Sequence, residues 1–149
     1  AERAVGLTIP RDRGNLWEPF KTYYKEASMT YFTKEHEYIR VDGDTGVCGI
    51  SNFAQSELGE IIKVILPENG KTIKKGDEIC YVESPKESSK VYAPVSGTIL
   101  EINASLEDSP ELINEDPYGK GWIYKVKLSD ASELKALMVE ADYEKYIQG

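Results

Sequence analysis

The sequence is short of the groups most enzymes rely on. It holds one histidine, His36, and two cysteines, Cys48 and Cys80, in 149 residues. A single histidine excludes multi-histidine metal centres and mechanisms that need several imidazoles. The cysteines form no CxxC pair, which excludes zinc-ribbon and dithiol redox motifs. Both lie in apolar strand-like runs, VCGI and EICYV, where a reduced, buried thiol is expected rather than a disulfide. No apolar run approaches the roughly 18 residues of a membrane span. Positive charge is outnumbered, 18 Lys and Arg against 26 Asp and Glu, for a net charge of −8. That balance argues against nucleic acid as a partner, because phosphate binding needs clustered Lys and Arg. A GxSxG elbow, a P-loop and GxGxxG are also absent.

What is present is ordinary for a globular domain: 40% hydrophobic and 30% charged residues, in a chain long enough to bury its own core. Residues 1–28 carry +1, so the remainder carries −9. The first fifteen residues have no periodicity. Trp17, Phe20 and Tyr24 then fall at helical spacing, which predicts a short amphipathic helix over 16–27. No apolar stretch there suits a secretory signal, and the interspersed acids do not suit a transit peptide. Residues 1–28 are therefore read as an extension and 29–149 as the domain.

The domain reads as short strands and turns. EYIRV and VCGI flank DGDTG. SNFAQSELG predicts a short helix with Ser51 as cap and Gly59 as stop. EIIKVILP is the most apolar strand, ENGKTIKKGD a loop, and EICYVE, SKVYA, TILEIN and WIYKVKL are further strands. ASLEDSPELINEDPYGKG reads as a long polar connection whose acids, Asp108, Glu115 and Asp116, are solvated. One or two helices opened by Asp130 or Ser132 end the chain. The expected fold is mainly β, a compact sandwich or barrel with short helices and a C-terminal helical segment.

Chemistry concentrates in KKGDEICYVESPKESSKVYAPVSGTI. Two strands flank the turn Ser84-Pro85-Lys86-Glu87. Pro85 presets φ at the second position, and Ser84 suits the first. Lys86 at the third position favours a type I turn, since a lysine resists positive φ. The consequence is a lysine amine held in water on a stiff tip. Gly76-Asp77 lies ten residues before Lys86 and Gly97 eleven after, so two similar half-units meet at the lysine.

This arrangement resembles the lipoyl- and biotinyl-carrier hairpin, a hybrid barrel-sandwich in which the tip lysine bears its cofactor through an amide. Biotin carriers set Met on both sides of the lysine; Pro85 and Glu87 stand here. Chain-wide motifs narrow the match: KEHEYIRVDGD, GISNFAQSELGEI, VILPENGKTIKKGD, YAPVSGTILEIN and DSPELINEDPYGKGW follow in order. Over about Tyr31 to Tyr146 the chain is similar to the H-protein family of the glycine cleavage system.

That resemblance implies a carrier, not an enzyme, with no catalytic or metal-ligating residue of its own. Lipoic acid would be attached to Lys86 by a lipoate ligase or lipoyl transferase. The arm would shuttle an aminomethyl intermediate among glycine decarboxylase, aminomethyltransferase and dihydrolipoyl dehydrogenase. It also implies that Glu83 helps the lipoylating enzyme read the hairpin and that Glu37 borders the groove where the loaded arm rests. His36 matches the family's His-Glu pair, and a structural hydrogen bond is its expected role. The implied location is a bacterial cytoplasm or a mitochondrial matrix. The sequence departs from the family around the arm: Pro85 and Glu87 replace Val and Ala, Lys90 replaces an acid, Glu35 a small hydroxyl residue, and Phe53 a histidine. Lys90 would oppose an aminomethyl cation, with Glu35 and Glu87 offsetting it. Two alternatives therefore stay open: an H-like lipoate-binding protein serving another pathway, such as heterodisulfide-reductase-like sulfur oxidation, and a non-lipoylated interaction module.

Overall fold

The computed structural model describes residues 29–148; the helix expected over 16–27 lies outside them. Among the described residues, ten strands form two antiparallel sheets. In chain order the strands are β1 (Met29–Phe32), β2 (Glu37–Asp42), β3 (Thr45–Ile50), β4 (Lys63–Ile65), β5 (Thr72–Ile73), β6 (Glu78–Glu83), β7 (Ser88–Tyr92), β8 (Gly97–Ile102), β9 (Tyr124–Leu128) and β10 (Met138–Val139). The larger sheet runs β10-β1-β2-β3-β9-β8-β5, and the smaller runs β4-β6-β7. Helices are short: α1 (Asn52–Leu58), α2 (Ser105–Asp108), α3 (Leu112–Glu115), a 3-10 turn over Ala131–Ala136, and α4 (Glu140–Gln148).

Alternation builds the sandwich. In β9, Tyr124, Val126 and Leu128 face inward while Lys127 faces water. In β6, Cys80 and Val82 do the same beside half-exposed Tyr81 and Glu83. One apolar cluster unites both sheets, with Ile39, Cys48, Val82, Val91, Ile99 and Val126 at its centre. Cys48 and Cys80 are free, buried thiols. Burial pushes the Cys48 thiol up to about 12, well above the ordinary thiol range.

The two half-units around the hairpin are tied to each other. The Gly76 amide donates to Ala93 O, and the Ala93 amide donates to Asp77 O, both at 2.8 Å. Gly76 sits at φ +90, a conformation glycine adopts without penalty. The Lys75 amide donates to Ser96 Oγ at 3.0 Å. These links fix the roots of β6 and β7, and hence the direction of the tip.

Several elements differ from the sequence expectation. The apolar run EIIKVILP gives only three strand residues: Ile61, Val64 and Pro67 are buried, while Ile62 and Ile65 stay exposed. The loop ENGKTIKKGD contains β5, which anchors Ile73 in the core. The polar connection holds α2 and α3, which bury Leu106 and Ile113. The C-terminal helical segment is broken by β10, which pairs with β1. In β5, α2 and α3 one apolar residue each takes a core position that a polar surrounding masked, whereas the two residues of β10 are half-buried.

Candidate functional site

Lys86 lies at the tip of the β6–β7 hairpin, in the turn beyond the last strand pair, Glu83↔Ser88. Serine chemistry closes the turn. The Ser84 hydroxyl accepts the amides of Lys86 and Glu87, each at 3.2 Å, and the Ser84 amide donates to Glu87 O at 2.9 Å. A single side chain therefore satisfies two donors that the turn leaves free. Among the described residues only His36 has positive φ outside glycine, so Lys86 does not occupy the type II position. Ser84 is 8% exposed, whereas Pro85, Lys86 and Glu87 face water. The Lys86 Nζ donates to Glu57 O at 3.0 Å, at the C-terminal end of α1.

α1 is where the sequence predicted it. Ser51 caps it by accepting the Ala54 amide, and Gly59, at φ 84, ends it with an amide bonded to Gln55 O. Glu83 is the last residue of β6, half-exposed and opposite Lys63 across the sheet.

Glu37 is 3% exposed, which is unusual for a carboxylate. Its Oε1 accepts the Thr33 hydroxyl at 2.6 Å, and its Oε2 accepts the Tyr92 amide at 3.1 Å. The second bond ties β2 to the end of β7, joining the two sheets. Burial raises the Glu37 carboxyl above its ordinary range, against the lowering effect of these two donors. A cleft of about 540 Å³ opens beside it, bordered by Glu35, Glu37, Lys75, Tyr92, Pro94 and Leu137. Glu35 also borders a shallower recess of about 480 Å³ shared with His36, Ser88 and Lys90. Glu35 and Glu37 thus stand at neighbouring depressions, one exposed and one buried. Lys90 is not a free cation: its Nζ lies 3.2 Å from Glu78 Oε2.

His36 makes a structural hydrogen bond, as the sequence suggested: its Nδ1 lies 2.8 Å from the Tyr143 hydroxyl. Phe53 packs on its ring, centroids 4.8 Å apart. Sequence reasoning missed Tyr92, Tyr143 and the Glu57 carbonyl, which reach the site from distant segments or through backbone atoms, and Thr33, whose hydroxyl bonds Glu37 four residues on. A KEHEYI run carries no signal for a partner 107 residues away. Among the described residues no group of three His, Cys, Asp or Glu is placed to hold a metal ion. No described helix is long and apolar enough to cross a membrane.

Comparison with known proteins converges on one family. The family model described as "Glycine cleavage H-protein" matches residues 30–149. The chain is 50% identical over 121 residues to the glycine cleavage system H protein of Beijerinckia indica, covering 81% of this chain and 98% of that one. It is 51% identical over 127 residues to the probable glycine cleavage system H protein of Thermococcus gammatolerans, covering 84% and 94%. The crystal structure of a glycine cleavage system H protein from Mycobacterium marinum superposes with a TM-score of 0.74 at 34% identity, covering 82% of this chain and 98% of that one. With its two-sheet sandwich and lysine-tipped hairpin, this chain belongs to the glycine cleavage H-protein family.

Proposed function

We propose that the chain is the lipoyl carrier of a glycine cleavage system, with lipoate attached to Lys86 Nζ and residues 29–149 forming the carrier domain. One observation carries the reading: an exposed lysine presented by a Ser84-closed hairpin, in a chain matched to the H-protein family from residue 30 onward. The residues present fit the group. The Lys86 amine is exposed, and an amide nitrogen keeps one proton that can still donate to Glu57 O. When bound, lipoate supplies a reducible disulfide that takes up the aminomethyl group left after glycine decarboxylation and carries it to the next enzyme. The chain's own residues present, orient and shelter. Ser84 holds the tip, and Glu83 offers a carboxylate three residues before the lysine for a lipoate ligase or lipoyl transferase to read. Glu37 retains unused lone pairs on both oxygens, so it can accept from an ammonium in the cleft. Glu35 adds negative charge at the rim, and Glu78 screens the charge of Lys90.

Tethering explains why so little machinery suffices. An arm fixed to one lysine raises the effective concentration of its cargo at successive enzymes. The partners are glycine decarboxylase, aminomethyltransferase and dihydrolipoyl dehydrogenase. The names of the relatives favour this pathway over a sulfur-oxidation carrier. Intact mass after incubation with a lipoate ligase tests attachment: the chain should gain one lipoyl group and Lys86→Arg none. Incubation of the lipoylated chain with decarboxylase and isotope-labelled glycine tests the pathway. Absence of label, with a competent H protein as control, would remove the glycine assignment.

A further inference from the structure

The C-terminal helix reaches the lysine arm through a line of hydrogen bonds. Tyr143 of α4 is 3% exposed and stacks on Phe32 of β1, ring centroids 4.2 Å apart. Its hydroxyl sits between two partners, His36 Nδ1 at 2.8 Å and Ser51 Oγ at 2.7 Å. Ser51 caps α1 through the Ala54 amide at 3.1 Å, and the far end of α1 offers the Glu57 carbonyl to Lys86 Nζ at 3.0 Å. The His36 carbonyl also accepts the Ser51 amide at 2.9 Å. His36 itself is held at φ 74, between the two acids that border the cleft.

Proton bookkeeping gives this line a direction. Tyr143 and Ser51 each have one hydroxyl proton. Among the described residues the Ser51 hydroxyl meets only the Ala54 amide, a donor, and the Tyr143 hydroxyl. The Ser51 proton must therefore go to the Tyr143 oxygen, and the Tyr143 proton to His36 Nδ1. That requires a neutral imidazole with its own proton on Nε2. A protonated His36 carries a proton on Nδ1 and donates to Tyr143. Tyr143 then turns its proton to Ser51, whose own proton is stranded in a fully buried site.

We propose that Tyr143 is a positioning residue for the Lys86 arm, tying the His36 turn to the cap of the helix that holds the lysine amine, and that protonation of His36 releases the tie. The proposal rests on the carrier reading for its consequence and on the hydrogen-bond geometry for its existence. The groups facing His36 are Glu35 on its own turn, Glu57 from α1, Tyr143 and Tyr146 from α4, and Lys90 across the recess. Burial lowers the His36 pKa and outweighs the raising effect of Glu35 and Glu57, so release belongs to pH below the ordinary imidazole value.

His36 is the chain's one histidine, so its imidazole resonance is unambiguous. The test follows that resonance and the Ala54 amide in the unmodified chain by NMR. From about pH 7.5 to about pH 5, Ala54 exchange, corrected for intrinsic rate, should accelerate about tenfold with the His36 midpoint. Tyr143→Phe should abolish the step with circular dichroism unchanged. If that variant fails to fold, His36→Asn serves, because Asn tolerates positive φ and does not titrate. In the lipoylated chain, the wild-type rate of loading with glycine and decarboxylase, divided by the His36→Asn rate, should fall about threefold across the same midpoint. Ala54 exchange that ignores the His36 midpoint, or a flat loading ratio, overturns the proposal. Failure of Lys86 to become lipoylated would remove the carrier reading instead, while the Ala54 result would still judge the tie.

Discussion

The hairpin tip at Lys86 is closed by contacts two or three residues apart, whereas the turn at His36 and Glu37, closed locally by Thr33, also draws partners 55 and 107 residues away. The tip exposes a flexible amine and spends one serine on closing the turn. The turn buries a carboxylate and recruits a hydroxyl, a backbone amide and a helix from the end of the chain. Presentation of a group to outside enzymes asks only for local stiffness. Sheltering a group from water asks for walls, and walls come from several segments at once.

The largest contrast is expected from Lys86→Arg. It should leave unfolding unchanged and abolish lipoylation, since a guanidinium does not form the amide; intact mass reads the outcome. A folded variant that still gains lipoate would put the site on another lysine, with Lys90 the nearest along the hairpin. Glu37→Ala should do the reverse. It strands the Tyr92 amide and leaves the Thr33 hydroxyl without its acceptor, at a cost of about 2–3 kcal/mol in urea unfolding, while lipoylation of Lys86 persists. Loss of lipoylation in a folded Glu37→Ala chain would show the two regions to be one.

Smaller effects sharpen the same contrast. Ser84→Ala should cost about 1 kcal/mol and slow lipoylation, because two turn amides lose their acceptor. Equal lipoylation rates would mean that the tip needs no closure. The acid response separates the regions further. The folded-state pKa of Glu37 is raised, so its contribution to stability is fully present below the unfolded pKa of about 4.3 and is lost as pH rises through the folded value. Wild-type stability relative to Glu37→Gln should therefore decline as pH rises through that window, and urea midpoints across it check the sign. Lys90→Ala should be the mildest change, without a measurable shift in Tm, because its pair with Glu78 is solvent-exposed.

Much of this was legible in the chain. The SPKE turn, the Ser51 and Gly59 boundaries of α1, and the inward alternation of β6 and β9 all depend on neighbours within a few residues. Local rules therefore reached them. The buried state of Cys48 and Cys80 followed from their apolar runs. Less legible were β5, α2 and α3, whose single core residue sits in polar surroundings and is stabilised by packing against other elements, and β10, whose half-buried residues are fixed by pairing with β1. The Lys90–Glu78 pair was missed because twelve residues separate its partners in sequence, and only the β6–β7 register brings them together.

By itself the sequence determined the β6–β7 hairpin, the lysine at its tip and the family, because a turn and an ordered set of motifs are one-dimensional patterns. Only the tertiary structure decided that Glu37 is buried and joins the two sheets. It alone revealed that the Glu57 carbonyl meets the Lys86 amine, and that Tyr143 links the last helix to His36 and Ser51. Those facts depend on which distant backbone and side-chain groups are brought within about 3 Å, and hydrogen bonding at that range is a property of packing rather than of order along the chain.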